Sequence, residues 1–256
     1  MNTRIVLGIV LLLSACLLIS FKSTVSDAAG ADKEKIAALL AGSEPINWVF
    51  TGNSITQGAK HTHGMRSYPE IFAERIRWEM GRTSDHIINT AISGNSTRDI
   101  LNDFDRRVTQ LRPQVVSIMI GTNDAATAKN VSITEFRNNL RELITKIRAV
   151  NAIPIVLSPN PIIADKAPER SRLPEYVAVI REVVKEQKVV FVDNYAIWNN
   201  ELKLQYKGEV YRNLLNDPLH PNGKGHQEMA ISLFRELSIF NANDPTCGGD
   251  YYEGEH

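Results

Sequence analysis

Val49-Phe50-Thr51-Gly52-Asn53-Ser54-Ile55-Thr56 completes an apolar run that begins at Ile46. The run reads as a short buried strand. Gly52 allows the backbone to turn sharply, so Ser54 stands at the carboxyl end of a strand, where open α/β sheets bind their ligands. A serine there is a candidate nucleophile if a base and an oxyanion hole converge on it. Taken alone, it is equally well a helix N-cap.

Three later blocks supply the missing groups: Ser93-Gly94-Asn95, Gly121-Thr122-Asn123-Asp124 and Asp217-Pro218-Leu219-His220-Pro221. Pro218 forbids a helical turn between Asp217 and His220, so the loop can fold the carboxylate back against the imidazole. A carboxylate on one ring nitrogen sets the tautomer and leaves the other nitrogen for the serine proton. Acyl transfer also needs donors fixed on the tetrahedral oxyanion. The Ser54 and Gly94 backbone N–H groups and the Asn123 side-chain amide are the expected three. Asp124 is expected to brace the loop rather than to react.

These four blocks, in this order, resemble the SGNH (GDSL-type) hydrolase superfamily over residues 46–240. The resemblance implies a serine esterase or lipase-like enzyme, with Ser54 as nucleophile, Asp217 and His220 as orienter and base, and Ser54, Gly94 and Asn123 as the oxyanion hole. It also implies a five-stranded, flavodoxin-like sheet. The first block departs from the family, which usually reads Gly-Asp-Ser, because Asn53 replaces the acid. Asparagine keeps the shape and a hydrogen-bonding side chain but loses the charge, which touches the local loop network and not the nucleophile. Without a Gly-x-Ser-x-Gly elbow, the chain does not fit the α/β-hydrolase fold, despite the same Ser…Asp…His order.

Periodicity alone gives the fold class. Apolar runs at 46–50, 86–90, 115–120, 153–157 and 189–192 read as strands buried on both faces. Helical patterns lie between them at 68–80, 96–108 (Thr97 a candidate cap), 134–150, 174–188 and 221–237. This alternation implies an α/β, single-domain, three-layer α/β/α sandwich around a mostly parallel five-stranded sheet. The catalytic domain is expected over 46–240, with a linker or N-terminal helix at 30–45 and a polar, disordered or loosely attached tail at 241–256.

The first 29 residues read as an export signal, with Arg4 ahead of an apolar run from Ile5 to Phe21. Leu13-Ser14-Ala15-Cys16 matches a bacterial lipobox, and ordinary cleavage near residues 26–31 is the competing reading. The protein is therefore expected to be secreted or held at the cell surface, with membrane attachment through the N-terminus if Cys16 is lipidated or the leader stays as an uncleaved anchor. Cys16 and Cys247 are the only cysteines in the chain, and no disulfide framework is expected. Lys plus Arg equals Asp plus Glu at 29 each, so nothing points to nucleic acid. The chain carries no phosphate loop and no dinucleotide fingerprint. No cofactor is expected, and His61 and His63 make too weak a set for a metal. Trp78 and Trp198 read as core or rim.

The expected activity is hydrolysis of carboxylic esters through an acyl-enzyme, with small-acyl (acetyl) esters of carbohydrate as substrates. A lipase or lysophospholipase-type acylhydrolase, a sugar O-acyltransferase and a non-catalytic glycan-binding module are the alternatives.

Overall fold

The computed structural model describes residues 28–58, 62 and 64–250. The leader, its Cys16 lipobox, His61 and His63 lie outside the described residues. Five strands form one parallel sheet: β1 (Asn47–Gly52), β2 (His86–Asn89), β3 (Val115–Met119), β4 (Ile153–Leu157) and β5 (Val190–Val192), in the order β2-β1-β3-β4-β5. Each strand lies within two residues of its expected position. Helix α1 (Ala28–Ala41) precedes the sheet, so the 30–45 segment is largely helical.

Successive residues point to opposite faces of the sheet, and both faces are covered. Trp48, Phe50, Val115 and Met119 pack under α1, α3 (Tyr68–Glu74) and α11 (Gly223–Glu236). Val49, Val116, Ile118 and Val156 pack under α4 (Thr97–Asn102), α5 (Phe104–Arg107), α6 (Ile133–Ala149) and α7 (Leu173–Gln187). The first core is centred on Phe72, whose ring lies 5.0 Å from Trp48, 5.1 Å from Phe50 and 6.2 Å from Phe234. Truncating such a ring costs about 3–5 kcal/mol. The one-turn α2 (Ser54–Gln57) follows β1 directly. The β5–α11 connection holds α8 (Asn194–Ile197), α9 (Lys203–Gln205) and α10 (Val210–Leu214), with Trp198, Leu202, Val210 and Leu214 buried beside α11. Trp198 is thus core, whereas Trp78 is exposed.

The helix over 96–108 breaks at Asp103, whose carboxylate takes both Arg106 and Arg107. Ser96, rather than Thr97, stands at the helix N-cap and pairs with Asp99. The tail expected from residue 241 is, over 241–250, part of the fold. The buried Arg75 guanidinium, just past α3, donates to the Ile239 carbonyl at 2.9 Å and ion-pairs with Asp244. Glu79 accepts from the Thr246 N–H at 2.9 Å, and Thr246 and Cys247 are buried. A desolvated arginine needs acceptors, and this segment supplies them.

Candidate active site

The strand order reverses at β1, which has β2 on one side and β3 on the other. Their carboxyl ends bound a crevice of the kind where doubly wound sheets bind ligands, and all the candidate residues follow those ends or face them. Gly52 pairs with Met119 across the sheet. A Cβ on Gly52 would lie 2.5 Å from the Met119 carbonyl oxygen, so only glycine lets the two strand ends approach this closely. Asn53 then caps α2, its Oδ1 accepting from the Ile55 N–H at 3.0 Å. Because Asn53 takes the N-cap, Ser54 falls at the first helical position with its hydroxyl unclaimed by the cap. Asn53 is 1% exposed. Asparagine therefore performs the cap without placing a charge in a dry loop.

Ser54 Oγ lies 2.8 Å from His220 Nε2. His220 Nδ1 lies 2.8 Å from Asp217 Oδ2 and 2.9 Å from Oδ1. Asp217 Oδ1 also accepts the Leu219 and His220 backbone N–H groups, each at 2.8 Å. Burial pushes the Asp217 carboxyl upward, but those two N–H groups and the imidazole outweigh it and hold the group below the usual aspartate value. It therefore stays ionised beside the ring.

The loop carrying the pair is closed at its base. Leu215 bridges Pro221, the Asn216 N–H donates to the His220 carbonyl at 2.8 Å, and Asn222 caps α11 through the Gly225 N–H. From the end of β4, the fully buried Asn160 donates to the Leu219 carbonyl at 3.0 Å. Nothing in the sequence marks Asn160 for this task. His226, one turn into α11, also escapes a sequence reading. Its Nδ1 accepts from the Tyr68 N–H at 3.2 Å, and its ring stacks on Tyr68. Burial, with His220 nearby, pushes His226 down to about 3, so it is neutral.

The other two candidate donors follow the ends of β2 and β3. Gly94 is exposed at φ +81°, with open space where a side chain would be. Its loop is tied to α2 by Gln57 Oε1, which accepts from the Ser93 N–H at 2.8 Å and from its hydroxyl. Asn123, 6% exposed, donates from Nδ2 to the Asn95 carbonyl at 3.0 Å. Asp124 braces this wall. Its Oδ1 accepts the Thr97 N–H at 2.9 Å and the Thr97 hydroxyl at 2.6 Å, which in turn accepts from Asn139. Burial raises the Asp124 carboxyl to about 6, against those hydrogen bonds. A cavity of about 1010 Å³ lies at the opposite end of the sheet, between α1 and residues such as Gln114 and Ile153, and none of the candidate residues lines it. Among the described residues, no group of three His, Cys, Asp or Glu side chains could hold a metal.

This arrangement can deprotonate a serine hydroxyl, steady the resulting imidazolium and present N–H groups to a nearby oxyanion. The sequence pattern of the GDSL-like lipase/acylhydrolase family matches residues 50–228, and the chain belongs to that family of ester hydrolases. An acetylxylan esterase from Geobacillus stearothermophilus is 28% identical over 208 residues, covering 75% of this chain and 93% of the relative. An isoamyl acetate-hydrolyzing esterase from Saccharomyces cerevisiae is 25% identical over 210 residues, covering 75% and 86%. The crystal structure of the Geobacillus acetylxylan esterase superposes with a TM-score of 0.64 at 26% identity, over 75% of this chain and 94% of that one. The flavodoxin-like, parallel five-stranded fold is thus that of an SGNH hydrolase.

Proposed function

We propose that the chain is an exported serine esterase that removes small acyl groups, acetyl foremost, from carbohydrate. The observation that carries this reading is the unbroken relay Ser54 Oγ to His220 Nε2 at 2.8 Å and His220 Nδ1 to Asp217 Oδ2 at 2.8 Å. Ser54 Oγ attacks the ester carbonyl as its proton passes to His220 Nε2. The Asp217 carboxylate stabilises the imidazolium so formed. The Ser54 and Gly94 backbone N–H groups and Asn123 Nδ2 receive the oxyanion. Collapse transfers the His220 proton to the departing sugar oxygen and leaves an acyl group on Ser54. Water, deprotonated by His220, then releases the acid.

Two features support a small acyl group. Both relatives named above are described as acting on acetyl compounds. None of the described loops around Ser54 inserts a long apolar segment that could roof an acyl tunnel. Export rests on the leader sequence. The test is an ester panel from acetyl to long acyl, with acetylated xylan included, run on the native enzyme and Ser54→Ala. Acetate release that falls off with acyl length and vanishes in Ser54→Ala is expected. Preference for long acyl chains would redirect the reading to a lipase, and activity retained by Ser54→Ala would remove the serine mechanism.

A further inference from the structure

We propose that Arg170, from the loop after β4, is a positioning residue that sets the orientation of the Asn123 amide and thereby aims one oxyanion donor. The inference rests on the role given to Asn123 above. An asparagine amide can sit in its pocket either way round, because oxygen and nitrogen have almost the same shape. Only the orientation with nitrogen toward the crevice can serve an anion. In this protein both ends of the amide are specified. Nδ2 donates to the Asn95 carbonyl at 3.0 Å, and Oδ1 accepts from Arg170 Nη2 at 3.3 Å. Turned over, the amide would set oxygen against the Asn95 carbonyl and N–H groups against the guanidinium, losing both bonds.

The amide nitrogen carries two N–H groups. One is engaged by Asn95, leaving one for a reacting group. The Asn95 carbonyl belongs to the residue after Gly94, so the same bond also ties the two donors of the hole together. Asn95 is fixed from behind, its Oδ1 accepting from the Arg107 guanidinium. A cation on Oδ1 further polarises the amide and strengthens its remaining N–H as a donor.

Arg170 is built to stay in place. It closes the Pro168–Arg170 turn, with its N–H on the Ala167 carbonyl at 3.0 Å, and its guanidinium pairs with Glu169. That turn lies against the Thr127–Lys129 turn, just past Asn123 on the β3 loop. The Arg170 side chain is 18% exposed, and its Nε is buried with no hydrogen-bond acceptor among the described residues. A guanidinium held this dry for the sake of Glu169 alone would be better left at the surface.

The test compares Arg170→Ala and Arg170→Lys with Asn123→Ala and the double variant, and follows the Asn123 side-chain amide by 15N NMR. Arg170→Ala is expected to lower kcat about tenfold with KM little changed, the usual coupling between hydrogen-bonded neighbours. Arg170→Lys should recover part of the loss by donating to the same oxygen. In the Asn123→Ala background, Arg170→Ala should add less than about a twofold loss, because the amide it serves is gone. In Arg170→Ala, the Asn123 amide resonances should shift and broaden as the group samples both orientations. An effect of Arg170→Ala that persists in full without Asn123, or Asn123 resonances identical with and without Arg170, would overturn the proposal. The resonances are read without substrate. A native enzyme inactive on every ester would therefore overturn the esterase reading, while the NMR comparison still decides the role of Arg170.

Discussion

Replacing Asp217 by asparagine isolates the charge from the shape. In the native loop, Asp217 Oδ1 accepts two backbone N–H groups at 2.8 Å, and Oδ2 faces His220 Nδ1 at 2.8 Å. In Asp217→Asn the amide oxygen must keep the backbone donors, since an amide NH2 cannot accept them. The NH2 then occupies the Oδ2 position and donates to Nδ1. That forces the ring proton onto Nε2, which faces Ser54 Oγ and can no longer take its proton. The expected loss is about a thousand- to ten-thousandfold in kcat, the size seen when the orienting carboxylate of a serine triad is neutralised, or about 4–5.5 kcal/mol. The Asp217 side chain is 32% exposed, so water can replace its partners, and stability should fall by about 1 kcal/mol at most. Asp217→Ala leaves the tautomer unforced and should be no less active than Asp217→Asn. The assay is the initial rate on a chromogenic acetyl ester at fixed pH, with folding checked by circular dichroism. A folded Asp217→Asn enzyme within tenfold of native turnover would refute this assignment of the tautomer.

Asn123→Ala should lower kcat about a hundred- to thousandfold with KM little changed, because its amide meets charge that exists only in the transition state; steady-state kinetics checks the split. Asp124 and His226 should bend the stability curve in opposite directions, which chemical denaturation across pH measures. The folded Asp124 carboxyl is raised from 3.8 to about 6, so its contribution is complete below pH 3.8 and is lost as pH rises through about 6; Asp124→Asn should remove that slope, worth about 2–3 kcal/mol. The folded His226 is lowered from 6.5 to about 3, so its contribution is present above pH 6.5 and is lost as pH falls through about 3; His226→Gln should soften the acid limb. Dialysis against a chelator should leave ester hydrolysis unchanged, since every group in the proposed chemistry is a protein atom.

Where the sequence is periodic, it was legible. Val115 to Met119, interrupted only by Ser117, and Ile153 to Leu157 are short, mainly apolar runs, and every residue in both is buried. Ser54, Asp217 and His220 stood out for another reason: Ser54 lies in a short motif at the end of β1, Asp217 and His220 in one just before α11, and the structure brings the three into one hydrogen-bonded line. The supporting residues were not legible. Asn160, Arg170 and His226 act through single long-range contacts, and an asparagine or arginine in a loop carries no periodic signal. The anchoring of residues 241–250 was not legible for the same reason, since it depends on Arg75, a charged residue that most helices would leave in water. The connection from Trp198 to Leu214 buries only Trp198, Leu202, Val210 and Leu214 and is broken into pieces too short to show a helical repeat.

Asp217 and His220 share one four-residue loop, so their mutual geometry is written locally. Only the step from Ser54 to His220, 166 residues apart, must be assembled from distant parts of the chain. Ser54 arrives with the amino-terminal half and His220 with the last helix, and beyond the sheet the two are joined where α3 packs on α11. Among the described residues, the polar pins across that seam are few: Tyr68 to His226, Arg75 to Asp244 and the Ile239 carbonyl, and Glu79 to Thr246. Trimming the chain before Asp244 would withdraw two of them while leaving the sheet intact. Such an enzyme would go silent on warming well before it melts, with turnover reporting the parting of the seam and circular dichroism the later collapse of the whole.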